Sequence, residues 1–291
     1  MTIDSYLRSS SKLLQTSNVL TYRLDALVLL SYVTGLSKAH ILAQPEYELS
    51  EIQLKVLNNL FNRRSKHVPV AQLTNSCEFY GRKFIINEHV MQPRPESEAM
   101  IESLKLTIAS DRSLSSMLNN NTRLDNDSTI KMLSIADIGC GSGALGITAY
   151  LELKNCHVDL LEIDLLAIKV AESNVAFHTI DLSVIQSNLL SNTSTYYEII
   201  LANLPYVPDT MKLNLSAEFE PKISIFGGPD GLDIYRQLFK SLYAIQHKPL
   251  YIITESFPSD HTTLKIIAQA SGYTLQQTND FIQVFKITSI D

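Results

Sequence analysis

A short apolar run, Leu133-Ser134-Ile135-Ala136-Asp137-Ile138, leads into Gly139-Cys140-Gly141-Ser142-Gly143 and then into an apolar helical stretch. Strand, glycine-rich turn and helix in this order constrain the chain more than any other feature. Glycines at alternate positions let the backbone turn sharply and come close to a ligand, and the unit belongs in a parallel sheet. The rest of the chain past residue 131 fits that setting. Strands are expected at 133–138, 157–163, 183–186, 197–202, 250–255, 273–277 and 281–287. Helices are expected at 143–153, 165–177, 232–245 and 259–271. Alternating elements of this kind predict an α/β fold with a Rossmann-like, mostly parallel sheet covered on both faces. The last two strands have no helix between them and should form an antiparallel edge hairpin.

Residues 1–66 read differently. Leu13, Leu14, Leu20, Leu24, Leu27, Val28 and Leu30, and then Ile52, Leu54, Val56, Leu57, Leu60 and Phe61, fall near helical spacing. Asp25 and Ser50 stand where caps or first turns belong. A small helical domain over 1–75 is expected, with a role in substrate recognition. A hairpin and linker follow over 76–98, where Phe79-Tyr80-Gly81 and Phe84-Ile85-Ile86 suggest two short strands. Gln92-Pro93-Arg94-Pro95 must run extended. The large α/β domain then occupies 99–291. Residues 111–129, rich in Asn, Ser and Asp, read as a mobile loop within it.

A glycine loop alone does not choose between nucleotide and sulfonium cofactors. The helix after it offers N–H groups to an anion, either a pyrophosphate or the carboxylate of a methionyl group. Asp164 ends the second strand 21 residues after Gly143 and can accept ribose hydroxyls, cap the helix opening at Leu165, or do both. Asn188 and Leu189, past the third strand, are placed to flank an adenine. Gly141-x-Gly143-x-x-Gly146 also satisfies the wider glycine spacing of a dinucleotide site.

The fourth strand discriminates. Glu198-Ile199-Ile200-Leu201-Ala202 ends in Asn203-Leu204-Pro205-Tyr206, at the edge where open α/β sheets bind ligands. A hydride-transfer enzyme has no evident use for this tetrad, whereas an amino methyltransferase does. A conjugated NH2 is a poor nucleophile because its lone pair is delocalised. The Asn203 side-chain oxygen and the Leu204 carbonyl can hold its two protons, fix the nitrogen, and favour positive charge on it. Pro205 stiffens the turn. Tyr206 offers a flat face to a planar group. S-adenosyl-L-methionine is the expected cofactor, with Gly139, Cys140, Gly141, Ser142, Gly143, Asp164, Asn188 and Leu189 as its contacts. Adenine N6, cytosine N4 and a glutamine amide all remain open as acceptors at this point.

Composition removes other classes. No apolar run reaches 18 residues, so no membrane span is expected, and the N-terminus lacks the basic and apolar regions of a secretory signal. Three cysteines without a CxxC pair, and seven scattered histidines, support neither a disulfide framework nor a metal site. A cytoplasmic location is expected. Net charge is -6, which argues against a dedicated nucleic-acid binder. Residues 1–75 carry 8 Lys and Arg against 5 Asp and Glu, and the remainder 16 against 25.

From about residue 68 onward the chain resembles the protein-(glutamine-N5) methyltransferases that modify peptide-chain release factors. The resemblance is carried by Pro69-Val70-Ala71-Gln72-Leu73-Thr74, Phe79-Tyr80-Gly81, Pro93-Arg94-Pro95-Glu96-Ser97-Glu98, the glycine loop, Asp164, the Asn203 tetrad, Phe219-Glu220-Pro221 and the block from Gly228 to Arg236. It implies a class I methyltransferase fold with a helical N-terminal domain, and by position it puts Asn203 among the cofactor contacts. It also implies a release factor as protein partner and, as substrate, the glutamine of its Gly-Gly-Gln loop held by Asn203 to Tyr206. Direct nucleic-acid binding is not expected from it. Two positions depart from the family: Leu204 stands where proline is usual, and Asn188-Leu189 where an acid and a ring are common. Asn-Leu-Pro-Tyr is also typical of rRNA adenine dimethyltransferases, so a nucleic-acid adenine-N6 enzyme is the competing expectation. Glu96, Glu98 and Glu220 have no assigned role at this level.

Overall fold

A computed structural model describes residues 1–119, 132–243 and 245–288. Five helices come first: α1 (Ile3–Thr16), α2 (Tyr22–Thr34), α3 (Lys38–Ala43), α4 (Glu51–Arg64) and α5 (Val70–Thr74). A two-stranded hairpin, β1 (Ser76–Phe79) and β2 (Arg82–Ile85), follows, then α6 (Glu98–Ser110) and α7 (Arg112–Asn119). The remainder runs β3 (Leu133–Ile138), α8 (Ala144–Leu153), β4 (Cys156–Glu162), α9 (Leu165–Phe177), β5 (Ser183–Gln186), β6 (Ile199–Ala202), α10 (Asp233–Tyr243), β7 (Tyr251–Glu255), α11 (His261–Ala270), β8 (Tyr273–Asn279) and β9 (Ile282–Ile287). Two compact units emerge. One comprises Met1–Cys77 with Ile86–Glu88 and Leu213–Phe219, and the other comprises the rest.

The first unit is a helical bundle around Ile3, Leu14, Leu29, Leu30, Leu57 and Phe61. Ser50 and Gln53 close a reciprocal capping box at the start of α4. Asp25, in the first turn of α2, is buried and accepts from Arg64 Nε at 2.7 Å and from Thr21 Oγ1 at 2.8 Å. Arg64 also donates to the Val68 carbonyl at 3.1 Å. A buried charge pair persists only when its remaining hydrogen-bonding capacity is met in this way.

The second unit is built on a seven-stranded sheet in the order β5-β4-β3-β6-β7-β9-β8. The first five of these are parallel, and β9 lies antiparallel between β7 and β8. Strands β6 and β7 are buried at every position, as parallel strands covered on both faces must be. Chain order reverses between β3 and β6, which opens a crevice at their carboxyl ends.

One expectation is corrected. Residues 112–119 form a helix, not a loop: Leu114 is fully buried, with Met117 and Leu118 on the same helical face. Asp111 anchors its start, accepting from Tyr251 Oη at 2.9 Å and Lys286 Nζ at 3.1 Å. Residues 120–129 of the expected loop lie outside the described residues. Among the described residues no helix is long and apolar enough to cross a membrane.

Candidate active site

Strand register assembles the site. Ile138 pairs with Leu161 on one side and Ala202 on the other, and Ala202 pairs with Thr254. The residues one step past these pairs are Glu162, Gly139, Asn203 and Glu255, side by side at the crevice. On β5, Gln186 pairs with Glu162, so Ser187 and Asn188 follow at the same edge.

The crevice is a cavity of about 280 Å³. Its wall includes Gly139, Cys140, Gly141, Ser142, Glu162, Asn188, Leu189, Asn203, Leu204 and Pro205. Phe79, Met91, Pro93, Ser97, Ile223 and Ser224 close other sides. The structure thus brings together most of the residues expected from sequence.

Three expected residues are not on this wall. Gly143 faces the core: a Cβ there would meet Ile147 and Leu160 side chains at 3.1 and 3.2 Å. Tyr206 turns its hydroxyl to Glu255 Oε1 at 2.9 Å and its ring edge-on to Phe257. Burial raises the Tyr206 phenol well above its ordinary value, so it remains a donor. Asp164 is the N-cap of α9, with its carboxylate accepting from Leu166 N at 2.7 Å. Of the two sequence readings of Asp164, the structure shows the cap. The acid that reaches the crevice is Glu162, two residues earlier, because β4 ends there, while Asp164 stands at the cap just before the helix. Glu162 Oε2 accepts from Gly141 N at 2.9 Å, and Oε1 from Ile163 N and Asp164 N at 2.8 and 3.0 Å.

The glycine loop is held from below. Gly139 N and Cys140 N both donate to the Leu161 carbonyl. Asn174, fully buried on α9, donates to the carbonyls of Ser142 and Ile85 and accepts from Ile85 N. Gly146 is a packing glycine: a Cβ there would meet Leu160 at 2.3 Å and Asp137 at 2.9 Å. Its N–H donates to Asp137 Oδ2 at 2.8 Å. Burial, opposed by that bond, pushes the Asp137 carboxyl up to about 7. Burial likewise holds the Cys140 thiol protonated.

The tetrad is braced from α10. The fully buried Tyr235 hydroxyl contacts the Ala202 carbonyl at 3.0 Å, the Glu255 carbonyl, and Leu204 N at 3.3 Å. Gly227 and Gly231 let the preceding loop press on the tetrad, since a Cβ at either would lie 2.3 Å from the carbonyl of Pro205 or Tyr206. Arg236 closes that loop through Asp230 and Asp233. We expect Tyr235→Phe to cost about 1–3 kcal/mol in a denaturant titration, because it strands buried backbone groups. An unchanged midpoint would remove Tyr235 from this bracing role.

Glu220 is buried and accepts from Arg94 Nη2 at 2.5 Å and Gln92 N at 3.4 Å, which ties down the extended Pro-Arg-Pro segment. Glu98 accepts from Tyr80 N at 2.7 Å. Among the described residues no group of three or more His, Cys, Asp or Glu is placed to hold a metal ion.

At the centre of the wall, Asn203 Nδ2 donates to Ser97 Oγ at 2.9 Å. Its Oδ1 is buried and has no hydrogen-bond partner. A side-chain acceptor without a partner, on a residue that lines a cavity, calls for a donor. Sequence reasoning missed Ser97, Glu162, Asn174, Tyr235 and Glu255 as contributors. Glu162 and Glu255 shared one available signal, an acid as the last residue of a buried strand.

Residues 5–74 match the family described as PrmC N-terminal domain, and residues 115–219 match Methyltransferase small domain. A bifunctional methyltransferase of Rickettsia typhi is 34% identical over 75% of this chain and 43% of its own length. The chain therefore spans less than half of that relative. A release factor glutamine methyltransferase of Bacillus cereus is 30% identical over 78% of this chain and 77% of the relative. One of Clostridium acetobutylicum is 27% identical over 98% of this chain and 96% of its own length. The match at both ends of the chain, over a crevice that ends in an open asparagine acceptor, places this chain in the release factor glutamine methyltransferase family.

Proposed function

We propose that this chain methylates the side-chain amide nitrogen of the glutamine in the Gly-Gly-Gln loop of a peptide-chain release factor, with S-adenosyl-L-methionine as donor. The observation that carries the reading is Asn203, a residue that lines the cavity and whose side-chain oxygen has no hydrogen-bond partner. When bound, S-adenosylmethionine supplies an electrophilic methyl group. Everything else is done by the chain's own residues.

Gly139 to Ser142 form the floor against which the methionyl end would rest. Glu162, not Asp164, is the proposed acceptor for the ribose hydroxyls, because Glu162 lines the cavity. Each carboxylate oxygen can take a further hydrogen bond beyond the backbone N–H groups it already accepts. Asn188 and Leu189 would flank the adenine. Asn203 Oδ1 and the Leu204 carbonyl would accept hydrogen bonds from the two amide N–H groups, which holds the nitrogen in place and favours positive charge on it as the carbon–nitrogen bond forms and the methyl–sulfur bond breaks, leaving a neutral thioether. The methylated nitrogen is then strongly acidic and releases its extra proton to water, so no strong base is required. Pro205 limits the conformations of Leu204 that could swing its carbonyl away. The three free cysteines fit a reducing, cytoplasmic setting.

Incubation with methyl-labelled S-adenosylmethionine and either purified release factor or ribosomal RNA tests the assignment. Label is expected in the release factor, on a glutamine amide. Label in RNA with none in protein would select the adenine-N6 reading instead.

A further inference from the structure

An asparagine amide has two ends of nearly equal size and opposite hydrogen-bonding character. Only the oxygen end can accept a proton from a substrate NH2. Rotation by half a turn would present an N–H to an N–H, and the site would repel the group it has to hold. Something must therefore bias the rotamer before substrate arrives. We propose that Ser97 and Glu255 are positioning residues that hold the Asn203 amide by its nitrogen and so leave its oxygen as the end free to accept. The proposal rests on the reading of Asn203 as the acceptor for the substrate NH2.

Ser97, a buried residue, accepts a hydrogen bond at Oγ from Asn203 Nδ2 at 2.9 Å. Glu255 is one step past Thr254, the register partner of Ala202, which places it beside Asn203 at the end of the neighbouring strand. An ionised carboxylate only accepts, so it disfavours an amide oxygen next to it and favours an amide nitrogen. Tyr206 Oη donates to Glu255 Oε1 at 2.9 Å, and the other carboxyl oxygen is buried with no hydrogen-bond partner. Burial raises the Glu255 carboxyl, while Ser97, Tyr206 and Asn203 act against that and favour its charged form. Two tetrad residues, Asn203 and Tyr206, converge on this one carboxyl group. Ser97 itself comes from the Pro-Arg-Pro-Glu-Ser segment, whose role in the family motif had no physical account from sequence.

The test uses the full chain and three variants: Ser97→Ala, which removes the acceptor; Glu255→Gln, which replaces an acceptor-only group with one that can also donate; and Ser97→Ala in an Asn203→Ala background. Turnover, KM for release factor and the calorimetric Kd for S-adenosylmethionine are measured for each. Each single variant should lower kcat by roughly tenfold or more, with KM and cofactor Kd within about threefold of wild type. Once Asn203 is alanine, removing Ser97 should change the residual rate less than about twofold, because both act through one amide. Near-normal kcat in either single variant overturns the proposal. So does a loss of kcat that parallels loss of cofactor affinity, or a full further loss in the Asn203→Ala background. Wild-type protein that labels RNA and not release factor defeats the glutamine reading alone, and the same comparisons are then made on the RNA substrate.

Discussion

Asn203→Ala should lower turnover on release factor by at least about 10²-fold, the scale for loss of one polar group placed where charge develops. The reason lies in how little else the site offers. Delocalisation withholds the lone pair of an amide, and at the carboxyl end of β6 the cavity is lined by Asn203, whose Oδ1 is a side-chain acceptor without a partner. Alanine removes that acceptor and also frees Ser97. The fold should survive, because Asn203 lies past the end of β6 and the core around Ile200, Ala202, Tyr235 and Phe239 does not depend on it. Single-turnover kinetics with thermal unfolding of the same sample separates the two effects. Near-normal turnover in a folded variant would remove Asn203 from the reaction.

Glu162→Gln and Asp164→Ala should part company. The two acids stand two residues apart, but Glu162 is on the cavity wall and Asp164 caps α9. Glutamine at 162 keeps the size and one acceptor, and loses the charge that strengthens bonds to hydroxyl donors. Cofactor affinity should fall roughly 10- to 100-fold, equivalent to about 1.5–3 kcal/mol for hydrogen bonds to a charged group. Alanine at 164 should leave affinity within about threefold and lower stability by about 1 kcal/mol, the usual cost of losing an N-cap. Calorimetric titration of both variants decides this. A larger affinity loss at Asp164 than at Glu162 would return the ribose to Asp164.

That pair also shows what could be read in the sequence and what could not. The strand–glycine–helix order, the alternation after residue 131 and the tetrad at a strand end were legible because they depend on local periodicity and on turn chemistry. The choice between Glu162 and Asp164 was not. It depends on where β4 stops pairing, and strand ends shift by a residue or two in any pattern-based reading. An acid before a helix satisfies both roles on paper. Helix α7 was missed because its polar composition masks the spacing of Leu114, Met117 and Leu118. Ser97, Asn174 and Tyr235 were missed for a different reason. Each acts on a segment distant in sequence, and polar residues in helices or linkers carry no sign of which distant backbone they will meet. The Gly228 to Arg236 block was recognisable as a motif, yet its purpose, to press a loop and one hydroxyl against the tetrad, needed the fold.

The alignment of Glu162, Gly139, Asn203 and Glu255 along neighbouring strand ends has a consequence for how the gene can change length. A residue inserted within β3, β4, β6 or β7 advances the group at that strand's end by about 3.3 Å and reverses the face of every side chain beyond it. Surface connections can absorb added residues at little cost, because closure entropy grows slowly with length. Insertions and deletions that preserve activity are therefore confined to the loops, and the four strands that meet at the crevice keep a fixed reading phase toward their last residue.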